Sequence, residues 1–418
     1  MLYMSDIERR VLEKIDEAAI VKTASELIEI PSITGDESKA QRRIAKIMEG
    51  IGMEADVWEI DIPEVRKHPD FSMGVDRKEG LGVVGALRAG KGKSLILNGH
   101  IDVVSPGDEK NWSVPPWKGT VKDGMLYGRG SVDMKGGLSC AINAVKAVID
   151  SGVPFKGNVF IESVVGEEDG GIGALATALR GYKADGAIVV EPTELKVAPT
   201  QAGSHVFKIT VKGHSAHACV REEGVSALEK FMPIYNALMS LEKTRNAAVN
   251  DPLYSRYRLP IPLNLGVVKC GNWPSSVPEE LVLEGRYGIG VDEDVSSAHR
   301  AFEKAVADAV ASDAWLRGHP PIVEWRGGQF TPVRTPTDHP IVKMVADAYE
   351  DTTGSPAVYE GMTYGSDMRH IVRVGKTPSV LFGPGDVRLC HRPDEHLPIS
   401  ELVTATKTLA RAILRFCK

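Results

Sequence analysis

Apolar positions along this chain recur in two rhythms. Helical spacing runs from Ile7 to Leu27, where Pro31-Ser32-Ile33-Thr34-Gly35 breaks it, and again from Glu37 to Ile51, ending at Gly52. Lys135 to Ser151, Gly171 to Leu179, Thr337 to Thr353 and Ile399 to Phe416 read as further helices. Short apolar runs lie between them: Leu95-Ile96-Leu97, Val159-Phe160-Ile161, Ala187-Ile188-Val189-Val190 and Pro378-Ser379-Val380-Leu381-Phe382. Runs this short read as buried strands. From about Gly203 to Glu324 the order changes to a strand (Phe207 to Gly213 alternates), a long helix (Ser226 to Lys243), more strands and a helix (Val295 to Val310). That βαββαβ-like order is a small two-layer unit. The pattern predicts an α/β fold, a central mixed sheet flanked by helices, interrupted by an inserted α+β domain. The expected boundaries are 1–202 and 325–418 for the first, discontinuous domain and 203–324 for the second. Pro63 to Gly80, with Pro69, Gly74 and mixed charge, reads as a mobile or family-specific loop.

Chemistry-bearing residues follow the apolar runs. His100 and Asp102 come after the first and stand two apart, which in a strand places them on one side. A carboxylate beside an imidazole fixes its tautomer and turns the other ring nitrogen toward a metal. Gly166-Glu167-Glu168-Asp169-Gly170-Gly171 follows the second run and Glu191-Pro192 the third. His391-Arg392-Pro393-Asp394-Glu395 comes several residues after the fourth. Gly128-Arg129-Gly130 leads to Asp133, just ahead of a helical pattern. In open α/β sheets, sites form outside the carboxyl ends of strands. Imidazole and hard oxygen ligands without thiolate suit Zn²⁺, with Co²⁺ or Mn²⁺ able to substitute.

The set NGHIDVV, GRGSVDMKGG, GEED, EP and CHRPDEH resembles the acetylornithine deacetylase, succinyl-diaminopimelate desuccinylase and aminoacylase family of dinuclear zinc metallopeptidases. The resemblance runs from about Ile20 to the end of the chain. It implies a zinc-exopeptidase-like catalytic domain and an inserted dimerisation, or lid, domain. It makes His100 and Glu191 ligands of one Zn²⁺, Glu168 and His391 ligands of the other, and Asp133 the bridge. Asp102 would orient His100, Glu167 would be the general acid/base, and the Asp133–Met134 peptide would be cis. In the family, the second histidine of a G-x-x-x-H-A stretch reaches across a dimer to stabilise the oxyanion; that role falls on His217.

Substrate recognition is less legible. Gly365-Ser366-Asp367-Met368-Arg369 is similar to the family's glycine-rich segment, and Arg369 could clamp a substrate carboxylate through a forked pair of hydrogen bonds. Relatives carry Asn-x-x-Pro followed by a strand arginine; here Ser275 stands at the Asn position and Arg286 comes two residues early. These departures leave the acyl group and the amino acid open.

Composition narrows the classes further. A chain of 418 residues exceeds one ordinary core, which favours two domains. A net charge of −6 gives no basic footprint for nucleic acid, and no apolar run is long enough for a membrane span. The N-terminal MLYMSDIERRVLEK is amphipathic and charged, unlike a secretion signal, and five scattered cysteines without CxxC spacing point to reduced thiols in a cytoplasm. The expectation is a homodimeric hydrolase removing an N-acyl group (acetyl, succinyl or similar) from a small amino acid or amine. A dipeptidase or carboxypeptidase using the same site, and a non-catalytic metabolite-binding relative, are the competing readings.

Overall fold

The computed structural model describes residues 6–418. They form two compact units: 6–200, 334–360 and 366–418 make the first, and 201–333 with 361–365 the second. The second unit therefore extends past the expected 203–324 on both sides. Its last strand, Ile322–Phe330, pairs with Gly203–Lys212 and cannot be divided at residue 325.

The first unit is built on a nine-stranded mixed sheet. At its centre Ser94–His100 runs parallel to both Asn158–Val164 and Gly186–Val189, and Ser379–Leu381 runs parallel to the latter. These are the four apolar runs of the sequence. Their buried positions explain why they do not alternate, since a parallel strand is covered on both faces. Leu81–Arg88 joins on one side, antiparallel, followed by Glu54–Glu59. Neither strand stands out in the sequence. Leu81–Arg88 carries Gly82 and Gly85, where a Cβ would meet the Trp58 ring and the Met48 sulfur. Those glycines serve close packing and weaken the strand signal.

Helix Lys135–Ser151, bounded as the sequence indicates, is buried over most of its length against the sheet and helices Glu17–Ile28 and Ile399–Phe416. The expected helix from Ile7 to Leu27 is instead two, Asp6–Leu12 and Glu17–Ile28. Asp16 breaks it, because its carboxylate accepts the Ala18 N–H and caps the second helix. Pro63 to Gly80 is a held segment. It opens within the short helix Ile62–Val65 and inserts the fully buried side chain of Arg77 between Glu37 and Asp169. Among the described residues no helix is long and apolar enough to cross a membrane.

The second unit has the βαββαβ order. Its four-stranded antiparallel sheet runs Leu263–Cys270, Glu280–Ile289, Gly203–Lys212, Ile322–Phe330. Helices Ala227–Ala247 and Val295–Ser312 pack together on it. Phe207, Ile209 and Val211 alternate inward along the central strand and join Phe231, Tyr287 and Phe302 in one core. Each such side chain contributes roughly 1.5–3 kcal/mol by leaving water.

One close approach governs the site-bearing end of the first unit. A Cβ on Gly137 would lie 2.0 Å from the Val190 carbonyl oxygen, so helix and strand touch backbone to backbone just before Glu191. We expect Gly137→Ala to force them apart and cost on the order of 1–3 kcal/mol. Urea denaturation reads this as a lower midpoint; an unchanged midpoint would contradict the contact.

Candidate active site

The parallel strands deliver the chemistry at their carboxyl ends. His100 closes Ser94–His100 and Asp102 follows it. Glu167, Glu168 and Asp169 lie in the loop after Asn158–Val164, and Glu191 lies just beyond Gly186–Val189. Asp133 arrives on the glycine-rich loop before helix Lys135–Ser151, and its peptide bond to Met134 is cis. His391, half-exposed, arrives from the C-terminal segment with φ 58°.

Asp133 lies between the two imidazoles. Its Oδ1 is 2.9 Å from His100 Nε2, and its Oδ2 is 3.3 Å from His391 Nε2. His391 Nε2 is also 3.1 Å from Glu168 Oε2. Ligand atoms of His100, Asp133 and Glu168 all fall within 4.8 Å of one another. Glu191 is buried outside that trio and is coupled electrostatically to His100 and Asp133.

Asp102 serves two partners. His100 Nδ1 donates to its backbone carbonyl at 2.9 Å, while its carboxylate stands 3.7 Å from that nitrogen. The carboxylate instead accepts the Glu167 and Glu168 N–H groups, each at 3.1 Å, and the Thr34 hydroxyl at 3.1 Å. The sequence expectation of a carboxylate orienting His100 thus becomes a carbonyl orienting it, with the carboxylate holding the glutamate loop.

The electrostatics favour a cation. With Nδ1 donating to a carbonyl, a neutral His100 would turn its Nε2 lone pair onto the Asp133 carboxylate. Two acceptors cannot face each other without a proton or metal between them. Burial drives Glu167 well above the ordinary carboxylate range; His100 opposes this, while Glu191, Asp367 and Glu168 add to it. Burial pulls His391 down, but its bonds to Asp133 and Glu168 outweigh that and push it up to about 11. His100 is likewise raised against its burial by Asp133, Glu191 and Asp102. Glu167 Oε1 and Glu168 Oε1 are buried without a hydrogen-bond partner. Hard oxygen and imidazole donors with unpartnered atoms fit divalent metal.

Several contributors lie outside the sequence-selected set. Glu395 accepts the Val132 N–H at 2.9 Å and the Asp133 N–H at 3.2 Å, and pairs with buried Arg129, so it fixes the Asp133 loop. Lys135 donates its ammonium to the Leu27 and Ile30 carbonyls, tying that loop to the end of helix Glu17–Ile28, and burial lowers it to about 7. Asp367 is buried with neither carboxylate oxygen hydrogen-bonded, and burial raises it to about 7 against the pull of Arg369 and His100. Glu395 lies inside the CHRPDEH motif and Asp367 inside the Gly365–Arg369 segment, which were the available signals.

Arg369 is buried, and its Nη2 donates to the Gly170 carbonyl at 2.6 Å, so it holds the glutamate loop from below. His217, Ser275 and Arg286 belong to the second unit. His217 is exposed and bridges Ser276, next to Ser275, whose carbonyl accepts the Ala218 N–H. Its Nδ1 accepts the Cys219 N–H at 3.2 Å, which leaves Nε2–H as a donor. Arg286 bonds the Ser204 hydroxyl and the Thr363 carbonyl.

The cluster lies at the strand ends of a mixed sheet, in a chain that also carries a four-stranded antiparallel domain. The sequence profile of the peptidase family M20/M25/M40 matches residues 96–415, and the chain belongs to that family, as a hydrolase of C–N bonds. It is similar to the N-formyl-4-amino-5-aminomethyl-2-methylpyrimidine deformylase of Halalkalibacterium halodurans, 29% identical over 398 residues, covering 90% of this chain and 89% of that one. It is similar also to acetylornithine deacetylase of Myxococcus xanthus, 29% identical over 350 residues, covering 82% and 85%. In fold it matches the di-peptidase Dug1p of Saccharomyces cerevisiae, with TM-score 0.79, 16% identity and 99% of each chain covered. A tripeptidase of Staphylococcus aureus matches with TM-score 0.74, 21% identity and coverage of 96% of this chain and 99% of that one.

Metal ligation requires neutral imidazole. The neighbouring acids raise both His100 and His391, so a metal must displace protons held there more firmly than on a free imidazole. Metal uptake at pH 7 should therefore release protons, and affinity should rise with pH. Calorimetry in buffers of differing ionisation enthalpy measures the release; uptake without protons would contradict the assignment.

Proposed function

We propose that this protein removes an N-acyl group from a small amino acid or related amine, using two divalent cations, Zn²⁺ or in its place Co²⁺ or Mn²⁺. His100 and Glu191 would hold one, Glu168 and His391 the other, with Asp133 shared. The observation that carries this reading is Asp133, with one carboxylate oxygen toward each imidazole, beside Glu168. When bound, the pair of cations polarises the amide carbonyl and lowers the pKa of a water molecule toward neutrality.

Glu167 is the acid/base. Its carboxylate is buried, with Oε1 unpartnered, and its backbone is fixed through Asp102. It takes the proton of the attacking water and returns it to the departing amine. Burial raises this carboxyl well above the ordinary carboxylate range, which suits a group that must hold the proton and hand it to the departing amine. The relatives' names support an acyl substrate, and a formyl group belongs in the set with acetyl and succinyl.

The chain acts as a homodimer in this reading. His217 donates its Nε2–H to the developing oxyanion in the partner's site, and Arg369, Arg286 and Ser275 are the residues assigned to the substrate. Five cysteines without disulfides are consistent with a reducing, cytoplasmic setting.

Hydrolysis of N-formyl, N-acetyl and N-succinyl amino acids and of dipeptides, by metal-replete protein, tests the reading. One preferred acyl class is expected; preference for dipeptides would make it a peptidase, and no hydrolysis of any class would overturn it. Glu167→Gln should keep its metal and lose turnover by about 10²–10⁴-fold. For His217→Ala the expected loss is about 10²–10³-fold. Mixed dimers of the two variants should recover activity, and verified mixed dimers that stay inactive would refute the cross-subunit role.

A further inference from the structure

Arg77 is a fully buried cation in a loop that the catalytic chemistry does not use. Its Nη1 donates to Glu37 Oε1 at 3.0 Å and its Nη2 to Asp169 Oδ1 at 2.9 Å. The same guanidinium lies against Gly166, where a Cβ would come within 2.6 Å of it. Gly166 has φ 69°, so both the close approach and the backbone conformation there favour glycine. Asp169 Oδ2 accepts the N–H groups of Val75 at 2.8 Å and Gly74 at 3.2 Å, and Ser72 Oγ bonds the Gly170 carbonyl. On the other side, Glu37 Oε1 also accepts the Gly35 N–H at 2.8 Å, next to Thr34, which donates to Asp102.

The segment from Ser72 to Arg77 therefore grips both ends of the loop Gly166–Gly171. Asp102 holds the middle of that loop through the Glu167 and Glu168 amides, and Thr34 links Asp102 back to the strand of contacts that ends on Arg77. One forked cation closes this circuit. A guanidinium can bridge two carboxylates in fixed directions, which an ammonium cannot.

We infer that Arg77 is a positioning residue for Glu167, acting through Asp169 and Gly166 to set where the acid/base stands over the substrate amide. This rests on the reading of Glu167 given above. It assigns a catalytic purpose to the segment Pro63 to Gly80.

The test uses Arg77→Lys and Asp169→Asn in the metal-replete protein. Both should bind metal as wild type does, keep KM, and lose kcat on the order of 10²-fold, the scale of an ångström's misplacement of a reacting group. Arg77→Ala should regain part of its kcat when guanidinium is added at millimolar concentration, which a merely weakened fold would not do. In a Glu167→Gln background, Arg77→Lys should bring no further loss. An equal further loss there, or a raised KM with kcat unchanged, would overturn the inference. Wild-type turnover in both Arg77→Lys and Asp169→Asn, with Glu167→Gln inactive, would overturn this inference alone. Wild-type turnover in Glu167→Gln would remove the acid/base reading itself.

Discussion

Excess negative charge, buried at the carboxyl ends of parallel strands, is the constraint around which the first unit is arranged. Asp133, Glu167, Glu168 and Glu191 gather around two imidazoles where water has little access. Carboxylates drawn together in a poorly solvated place repel one another and are raised in pKa unless cations compensate. The fold can hold them there because each is fixed by its backbone or by the loop that carries it. Asp133 and Glu168 meet the two imidazoles, while Glu167 Oε1 and Glu168 Oε1 have no hydrogen-bond partner.

That crowding explains the many buried charges just behind the site. Arg129 and Glu395 hold the Asp133 loop; Arg77, Glu37 and Asp169 hold the glutamate loop; Lys135 ties the start of its helix to the carbonyls of another. None of these groups needs to touch substrate. They keep acids that would otherwise separate within a few ångströms of each other, which is the preorganisation that electrostatic catalysis requires. Truncating one partner of such a pair leaves an uncompensated buried charge, so these positions tolerate change poorly.

Much of this was legible in the chain. Strand after apolar strand ends in an acid or a histidine, because the side chains that do chemistry must emerge where the sheet stops. The helices Lys135–Ser151 and Ile399–Phe416 were readable to the residue from their periodicity. What escaped is long-range. Arg77 meets Asp169 across 92 positions, and Arg129 meets Glu395 across 266. A lone arginine in a polar loop looks solvated until the fold supplies its acid. Asp16, a charged residue within a helical rhythm, hid a cap, and the glycines of Leu81–Arg88 hid a strand whose packing needs their smallness. The role of Asp102 shifted from side chain to carbonyl, a distinction that residue identity cannot carry.

The pairing of His396–Pro398 with Met125–Tyr127 has a consequence for how the site is completed. This short ribbon, with Glu395 beside it and His391 just before it, brings a segment late in the sequence onto the loop that leads to Asp133. The acids and the imidazole at His100 come from strands and loops that precede residue 200, but the second imidazole and the carboxylate that bonds the Asp133 amide come from this distant segment. The site is therefore closed by a contact between parts of the sequence far apart, and a fragment that stops short of residue 391 would carry the acids without the histidine and glutamate that finish it.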